Sequence, residues 1–174
     1  MPNNVLGQSK KLAYLLRHDR QSLFLPGGWR RIQEVSDNLK LSVELIAEIV
    51  SNDEKGRYEI DSNNGLIRAL YGHSVDVDLR LNSQVPPPIL FHGTAEKYID
   101  SIKAQGILPQ SRVYVHLTED IDLAMKTGSR HGNPIILKVS TEPLLKAACL
   151  FYRTNNGIWL TKRVPAEYFE IYNP

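Results

Sequence analysis

The stretch Ser83-Gln84-Val85-Pro86-Pro87-Pro88 divides the sequence into two halves of similar length. Three consecutive prolines cannot continue a helix or a central strand, because each has a fixed φ and lacks an amide hydrogen, and they favour a stiff extended link. We therefore place a boundary here, with one lobe at residues 1–83 and a second at residues 89–174. A chain of 174 residues is long enough for each lobe to bury a small core of its own.

The composition is that of an ordinary globular protein, with 42% apolar and 23% charged residues. The 21 Lys and Arg nearly balance the 19 Asp and Glu. This excludes a protein that binds nucleic acid through bulk positive charge, and it leaves a local basic patch open. The single cysteine, Cys149, excludes an internal disulfide and a Cys-based zinc site. Because a membrane span and a hydrophobic signal core are both missing from the pattern, we expect a cytoplasmic protein without a membrane partner.

The N-terminal half predicts three helices followed by strands. We expect the first helix to be capped by Ser9, the second to follow Trp29 and the third to begin after Ser42, because apolar residues recur at helical spacing beyond each of them. A Ser-Asn-Asn-Gly turn at 62–65 predicts a hairpin, and the alternation over Val75–Leu79 predicts an edge strand. Three helices and a hairpin are the order of a winged helix, a nucleic-acid-binding module. The alternative is a small helical domain that binds nothing.

The C-terminal half predicts a mixed lobe, and the chain as a whole an α+β fold. Many short strands with few helices argue against a doubly wound sheet. We expect a helix that ends at Gly106 and a second helix that is capped by Thr118. Strands are expected at Ile89–His92, Val113–Leu117 and Pro134–Val139. Neither G-x-G-x-x-G nor G-x-x-x-x-G-K-[ST] occurs, so the Rossmann and P-loop routes to a nucleotide are unsupported.

Histidine is the most informative residue type for function. Four of the five histidines have an arginine or a glycine beside them in the sequence: His18, His73, His92 and His131. An arginine next to a histidine combines a permanent charge with a group that titrates near neutrality, and a glycine lets a ligand approach the backbone. The spacing offers no H-x-x-x-H pair, and we expect no metal site.

Arginine and lysine are concentrated near the N-terminus, where residues 1–31 hold six of them and one acid. Such an imbalance is typical of a face that binds phosphates. An ordinary solvated surface is the alternative for Lys10, Lys11, Arg30 and Arg31. Arg17 is different because it follows two leucines of the buried stripe, and Arg130 lies in a Gly-Ser-Arg-His-Gly loop from which it could reach a ligand.

Eight short motifs run in a fixed order along nearly the whole chain. They are Leu15-Leu16-Arg17-His18, Gly28-Trp29, Arg57-Tyr58, Ile67-Arg68-Ala69 with Gly72-His73-Ser74, Phe91-His92-Gly93-Thr94, Val115-His116-Leu117-Thr118, Thr127-Gly128-Ser129-Arg130-His131-Gly132, and Gly157-Ile158-Trp159-Leu160. In this order they resemble the RNA 2′-phosphotransferase family, which includes KptA in bacteria and a fungal tRNA-splicing counterpart. Each motif alone is a weak signal, and eight in order are a strong one.

The resemblance implies a winged-helix lobe that binds RNA, joined to an ADP-ribosyltransferase-like lobe that binds NAD. The family removes an internal 2′-phosphate from RNA, such as the one left at a tRNA splice junction. The 2′-phosphate attacks the anomeric carbon of the nicotinamide ribose, and an ADP-ribosylated 2′-phosphate results. The ribose 2″-hydroxyl then attacks phosphorus, which gives RNA with a 2′-hydroxyl and ADP-ribose 1″,2″-cyclic phosphate. The expected partners are this RNA and NAD, and the expected state is a monomer.

The resemblance also assigns roles to residues of this sequence. The catalytic Arg-His-Arg-Arg set of the family maps onto Arg17, His18, Arg68 and Arg130. Two strand motifs would contact NAD, through His92, Gly93, Thr94, His116, Leu117 and Thr118. The RNA phosphate would be seated with the help of His73 and Ser74.

The sequence departs from the family pattern at two places. Asp19-Arg20 stands where relatives carry Lys-Pro, and Tyr71 stands where they carry Gln before Gly-His-Ser. His131 remains an alternative to Arg130 as the last catalytic group. Two other functions also stay open. An ADP-ribosyltransferase acting on phosphate ends of nucleic acid would stop after the first step, and a non-enzymatic winged-helix nucleic-acid-binding protein would not bind NAD.

Overall fold

The computed structural model describes residues 2–21 and 23–173, and it divides into two compact units, Met1–Leu81 and Asn82–Pro174. The division falls directly before the proline stretch. Both units combine helices with short antiparallel strands, as expected for the α+β class.

Unit 1 packs three helices against one small sheet. Its elements are α1 (Pro2–Arg17), β1 (Trp29–Arg31), α2 (Ile32–Leu39), α3 (Val43–Ser51), β2 (Tyr58–Asp61) and β3 (Leu66–Ala69). The sheet is antiparallel with the order β1-β3-β2, so the predicted hairpin forms and β1 adds to its far side. Apolar side chains from all three helices and the hairpin are fully buried together, among them Leu12, Leu16, Val35, Ile46 and Ile67.

The predicted helix starts are confirmed at one position and wrong at another. Ser42 caps α3, because its hydroxyl accepts a hydrogen bond from the Leu45 amide at 3.2 Å. Ser9 does not cap α1, which begins at Pro2, a residue whose missing amide hydrogen costs nothing at a first helical position. Ser9 lies in the helix interior and accepts a hydrogen bond from Nη2 of Arg57 at 2.9 Å.

The edge strand expected at Val75–Leu79 is wrong, because the segment is not part of any sheet in the described residues. Its alternation reflects burial instead: Val77 and Leu79 are buried while the acids between and before them are exposed. The alternative of a solvated surface is also wrong for Arg30, which is 5% exposed and donates from Nη1 to the Leu15 carbonyl at 3.4 Å.

Unit 2 is built from two three-stranded antiparallel sheets with three helices. Its elements are β4 (Ile89–Ala95), a 3₁₀ turn (Glu96–Tyr98), α4 (Ile99–Gln105), β5 (Val115–Leu117), α5 (Ile121–Gly128), β6 (Pro134–Ser140), α6 (Thr141–Lys146), β7 (Tyr152–Arg153), β8 (Trp159–Thr161), a second 3₁₀ turn (Ala166–Tyr168) and β9 (Phe169–Ile171). The sheet orders are β4-β6-β9 and β5-β8-β7. Phe91 of β4 and Thr118 exchange two backbone hydrogen bonds, of 2.7 and 2.9 Å, and this bridge joins the two sheets.

The expected helix boundaries in unit 2 hold with one correction. Gly106 ends α4 with a φ of 82°, a conformation that glycine adopts without strain. The cap of α5 is Asp120, whose Oδ1 accepts from the Leu123 amide at 3.0 Å. Thr118, the predicted cap, lies two residues too early, and its hydroxyl accepts from the Asp120 amide at 3.0 Å.

Glycine allows helix α5 to lie directly on strand β4. A Cβ at Gly93 would overlap the carbonyl oxygen of Ala124 in α5, and a Cβ at Gly128 would overlap the carbonyl oxygen of Thr94 in β4. The glycine beside His92 is therefore required by helix packing, whereas the sequence alone suggested the approach of a ligand. The same contact places α5 next to the strand that carries His92 and Thr94.

Replacing Gly93 with alanine is expected to destabilise the protein by about 3 kcal/mol or more, because α5 would have to move off β4. The control is Gly7→Ala, on an exposed face of α1 with no atom within 4 Å of an added Cβ, which should stabilise by about 1 kcal/mol. Urea unfolding measures both changes. An unchanged midpoint for Gly93→Ala would contradict the close packing of α5 on β4.

Candidate functional site

The C-terminal end of α1 brings together three of the residues predicted to act on phosphate. Arg17 is the last residue of the helix, and the Ser74 amide donates to its carbonyl oxygen at 2.9 Å. The Ser74 hydroxyl also lies 2.8 Å from Nδ1 of His18. Segment 72–74 therefore fixes both the end of the helix and the orientation of the imidazole, although 56 residues separate His18 from Ser74 in the sequence.

The Arg17 guanidinium has the character of an anion-binding group. Its Nε and Nη2 are buried and have no hydrogen-bond acceptor among the described residues. Its Cζ lies 4.9 Å from the centroid of the Tyr71 ring and 5.8 Å from that of Tyr58. Burial lowers the pKa of Arg17 from its ordinary value, but a guanidinium stays charged at neutral pH. A cation with unsatisfied donors is suited to a phosphate, whose oxygens accept several hydrogen bonds.

His73 lies inside unit 1 and is 2% exposed, with both ring nitrogens buried. Its ring meets Phe24 edge to face, with 6.3 Å between the centroids. Burial lowers the pKa of His73 to about 4, and the positive charges of Arg17 and His18 act in the same direction. His73 is therefore neutral at physiological pH. Its assignment to an RNA phosphate stays a prediction. The structure shows that His73 lies close enough to Arg17 and His18 for their charges to affect its pKa.

Arg68 lies at the centre of a row across the three-stranded sheet, with Trp29 of β1 on one side and Glu59 of β2 on the other. Its guanidinium carbon is 4.4 Å from the Trp29 ring centroid. Its Nε and Nη2 both donate to Oε2 of Glu59, at 2.7 and 2.6 Å, and Nη1 donates to the Gly27 carbonyl at 3.1 Å. Cross-strand neighbours thus fix the orientation of Arg68. Sequence reasoning missed Trp29 as a partner, because strand β1 was not predicted, whereas Glu59 lies in the predicted hairpin.

A cavity of about 600 Å³ opens in unit 2, lined by residues of β4, β5, α4 and α5 and of the loop between α4 and β5. All six residues predicted to contact NAD line it: His92, Gly93, Thr94, His116, Leu117 and Thr118. They are drawn from two sheets that meet at the bridge between Phe91 and Thr118. The two strand motifs, more than 20 residues apart in sequence, therefore contribute to a single cavity.

His92 is held in one tautomer. Its Nδ1 lies 3.0 Å from the carbonyl oxygen of His116, and a carbonyl only accepts, so Nδ1 carries the hydrogen. Burial lowers the pKa of His92, and this hydrogen bond opposes the effect in part. The neutral ring is left with Nε2 as an acceptor, which suits a ligand hydroxyl group.

The cavity also has polar and aromatic lining that sequence reasoning did not single out. It includes Tyr98, Ser101, Arg112 and Tyr114. These residues lie in a loop, in a 3₁₀ turn or on one face of a short helix, and none belongs to a spacing pattern that marks a binding site.

Arg130 lies in the loop after α5 and is exposed. It is not among the residues that line the cavity, whereas His131 is. The His131 ring meets Tyr98 edge to face, with 6.5 Å between the centroids. Arg130 belongs to unit 2, while Arg17, His18 and Arg68 belong to unit 1. Both Arg130 and His131 thus remain predictions for the last catalytic group.

The described residues contain neither a cluster of metal ligands nor a helix that could cross a membrane. Across residues 2–21 and 23–173, no group of three or more His, Cys, Asp or Glu side chains is arranged to hold a metal ion. Within the same ranges, none of the helices has the length and apolar character that crossing a membrane requires.

The comparisons with known proteins agree on one family. Residues 3–163 match the profile of the RNA 2′-phosphotransferase, Tpt1 / KptA family. A probable RNA 2′-phosphotransferase of Acaryochloris marina is 40% identical over 97% of this chain and 98% of its own length. Proteins of the same name from Pectobacterium carotovorum and Trichormus variabilis are 42% and 41% identical, over 93% and 95% of this chain and 92% and 95% of their own lengths.

The buried neutral His73 predicts a pH dependence of stability. Its pKa is about 4 in the folded protein and about 6.5 when unfolded, so the unfolded state binds a proton first as pH falls. Stability is then fully present above pH 6.5 and is lost between pH 6.5 and 4, by up to roughly 3 kcal/mol for this group. Urea unfolding of wild type and His73→Phe over pH 4–7.5 should give a flatter profile for the variant. Parallel profiles would contradict a buried neutral His73.

Proposed function

The chain belongs to the RNA 2′-phosphotransferase, Tpt1 / KptA family, whose members are transferases that act on RNA 2′-phosphate, and from this premise we propose that it removes an internal 2′-phosphate from RNA with consumption of NAD. Both predicted strand motifs line the same cavity, and this observation carries the NAD part of the proposal. The products would be RNA with a 2′-hydroxyl, nicotinamide and ADP-ribose 1″,2″-cyclic phosphate.

Unit 1 is proposed as the RNA lobe, with a winged-helix fold. Its element order, helix, strand, two helices and a hairpin, and its sheet order β1-β3-β2 support this proposal. Lys10 and Lys11 are exposed on α1, the helix that ends in Arg17, and they could contact the RNA backbone. The fold would thus direct Arg17 and His18 towards the 2′-phosphate while flanking cations bind neighbouring phosphates.

Unit 2 is proposed as an ADP-ribosyltransferase-like lobe that binds NAD. Two short sheets that meet at one bridge enclose the cavity, and its volume falls within the range of about 300 to 1,000 Å³ typical of small-molecule sites. Nε2 of His92 would accept a hydrogen bond from a ribose hydroxyl, and Tyr98 and Tyr114 add aromatic rings to the lining. NAD supplies the anomeric carbon that receives the phosphate.

The residues of unit 1 would orient and stabilise the phosphate. Arg17 offers Nε and Nη2, which lack acceptors, and Arg68 keeps one N–H on each Nη after its contacts with Glu59 and Gly27. Ser74 holds Nδ1 of His18 and so orients the imidazole, which would transfer a proton to the departing 2′-oxygen. Positive charge fixed around the reacting phosphate stabilises the negative charge of the transition state. Arg130 and His131, both in unit 2, stay predictions for the last catalytic group.

The reaction is tested with a short RNA that carries one labelled internal 2′-phosphate, incubated with and without NAD. Wild type should release label as a cyclic phosphate of ADP-ribose only when NAD is present. Arg68→Gln should lower kcat/KM by roughly 10² to 10³-fold, because a fixed cation beside the phosphate is lost. The matched control is Arg31→Gln, in the same sheet and mostly exposed, which should leave kcat/KM unchanged.

Other outcomes of the same assay assign other functions. Label retained on RNA that has gained ADP-ribose would identify an ADP-ribosyltransferase that stops after the first step. If protein shown to be folded leaves the labelled RNA unchanged with and without NAD, the proposal is overturned. The remaining alternative is then a non-enzymatic nucleic-acid-binding protein.

The cavity is tested by filling it. Ser101 lines the cavity from α4, and Ser101→Trp should weaken NAD binding at least tenfold because the indole would occupy ligand volume. Lys103→Trp, on the same helix but outside the lining, is the control. Titration calorimetry with NAD measures both. Equal NAD affinity in the two variants would exclude this cavity as the NAD site.

A further inference from the structure

Arg17 and Arg68 are held in different ways. Arg68 has a carboxylate partner, Glu59, and a carbonyl partner at Gly27. Arg17 has no ion pair among the described residues, and its Nε and Nη2 have no acceptor. Since polar contacts do not fix these two nitrogens, the side chains packed against the Arg17 guanidinium contribute to its orientation.

Aromatic rings supply that packing. The Tyr71 ring is the nearer, at 4.9 Å from Cζ of Arg17, and the Tyr58 ring lies at 5.8 Å. The face of an aromatic ring attracts a cation and does not neutralise its charge. A carboxylate in the same place would hold Arg17 as well but would compete with an incoming phosphate. Aromatic packing therefore helps to orient the guanidinium and leaves Nε and Nη2 without a competing acceptor.

The Tyr71 ring is itself tied in place. Its hydroxyl donates to the carbonyl oxygen of Lys55 at 3.0 Å. The loop that carries Lys55 is closed by Asp53, whose carboxylate accepts from the amide of Arg57 and from its Nε at 2.8 Å. Nη2 of Arg57 donates a hydrogen bond to the Ser9 hydroxyl of α1 at 2.9 Å. A continuous set of contacts thus fixes the ring relative to the helix that ends in Arg17.

The backbone beside Tyr71 completes the enclosure. Gly72 has a φ of +84°, and a Cβ built on it would lie 3.4 Å from Cζ and Nη1 of Arg17. The chain therefore passes close to the guanidinium directly after Tyr71, and two residues later the Ser74 amide binds the Arg17 carbonyl. Residues 71–74 hold Arg17 at both its side chain and its backbone.

We propose that Tyr71 is a positioning residue for Arg17: its ring holds the guanidinium in the orientation that binds the RNA 2′-phosphate, and its hydroxyl fixes the ring. The proposal rests on the proposed role of Arg17 in phosphate binding. It gives a role in binding to one of the two places at which this sequence departs from the family pattern.

The test measures 2′-phosphate selectivity, defined as the affinity for an RNA oligonucleotide with one internal 2′-phosphate divided by the affinity for the same RNA with a 2′-hydroxyl. Fluorescence anisotropy without NAD supplies both affinities. Tyr71→Leu should lower the selectivity about tenfold, because the ring face is lost. Tyr71→Phe, which keeps the ring and removes the hydroxyl, should retain most of it.

A double-substitution cycle separates positioning from a general loss of structure. In an Arg17→Ala background, Tyr71→Leu should cause no further loss of selectivity, because it acts through Arg17. If the double variant instead loses the sum of the selectivity that the two single variants lose, the two residues act independently and the proposal is overturned. A lower urea midpoint for Tyr71→Leu with unchanged selectivity would also overturn it, since it would assign the ring a structural role alone.

Failure of this inference is distinguishable from failure of the proposed function. Wild-type protein that does not discriminate the two RNAs, and releases no label with NAD, overturns the proposed function and the role of Arg17 together. Wild type that discriminates, with Tyr71→Leu equal to it, overturns the role of Tyr71 alone.

Discussion

The attachment of segment 71–74 to the end of α1 is the contact on which the candidate phosphate site depends. The Ser74 amide satisfies the last carbonyl of the helix, its hydroxyl orients His18, and the Tyr71 ring packs on the guanidinium of Arg17. A helix end needs partners for its free carbonyls, and here the same residues that supply one also orient the functional side chains. Removing this segment from α1 would leave the helix frayed and both Arg17 and His18 without a fixed direction.

Charge is distributed differently in the two units, and the difference matches the tasks proposed for them. In unit 1 the His18 imidazole is held by the Ser74 hydroxyl, and the Arg68 guanidinium is bound to the carboxylate of Glu59. Burial keeps His73, behind Arg17, neutral, so it adds no further charge to an interior that already holds a guanidinium. In unit 2 the neutral His92 is fixed by a carbonyl group and suits a ligand hydroxyl, while Arg112 adds a positive charge to the lining of the same cavity.

Local signals in the sequence predicted the elements that local forces determine. Ser42 marks the start of α3, the turn at 62–65 closes the hairpin, and Gly106 ends α4, each through contacts within a few residues. Strand β1 escaped prediction because its three residues become a strand only by pairing with β3. The strand predicted at Val75–Leu79 is wrong for the opposite reason. The alternating burial is real, but within the described residues no strand pairs with this segment.

The candidate site shows the same division between local and distant information. Motif order identified residues such as Arg17 and His92, whereas their supports come from distant parts of the chain and carry no spacing signal. Trp29 and Glu59 contact Arg68 from the neighbouring strands of the sheet. The Tyr71 ring packs on the Arg17 guanidinium from the segment that follows β3. A guanidinium held by aromatic faces keeps its donors for a ligand, while one held by a carboxylate gives part of them up. In this protein Arg17 and Arg68 therefore differ in what they can offer a phosphate, a distinction that residue type alone does not contain.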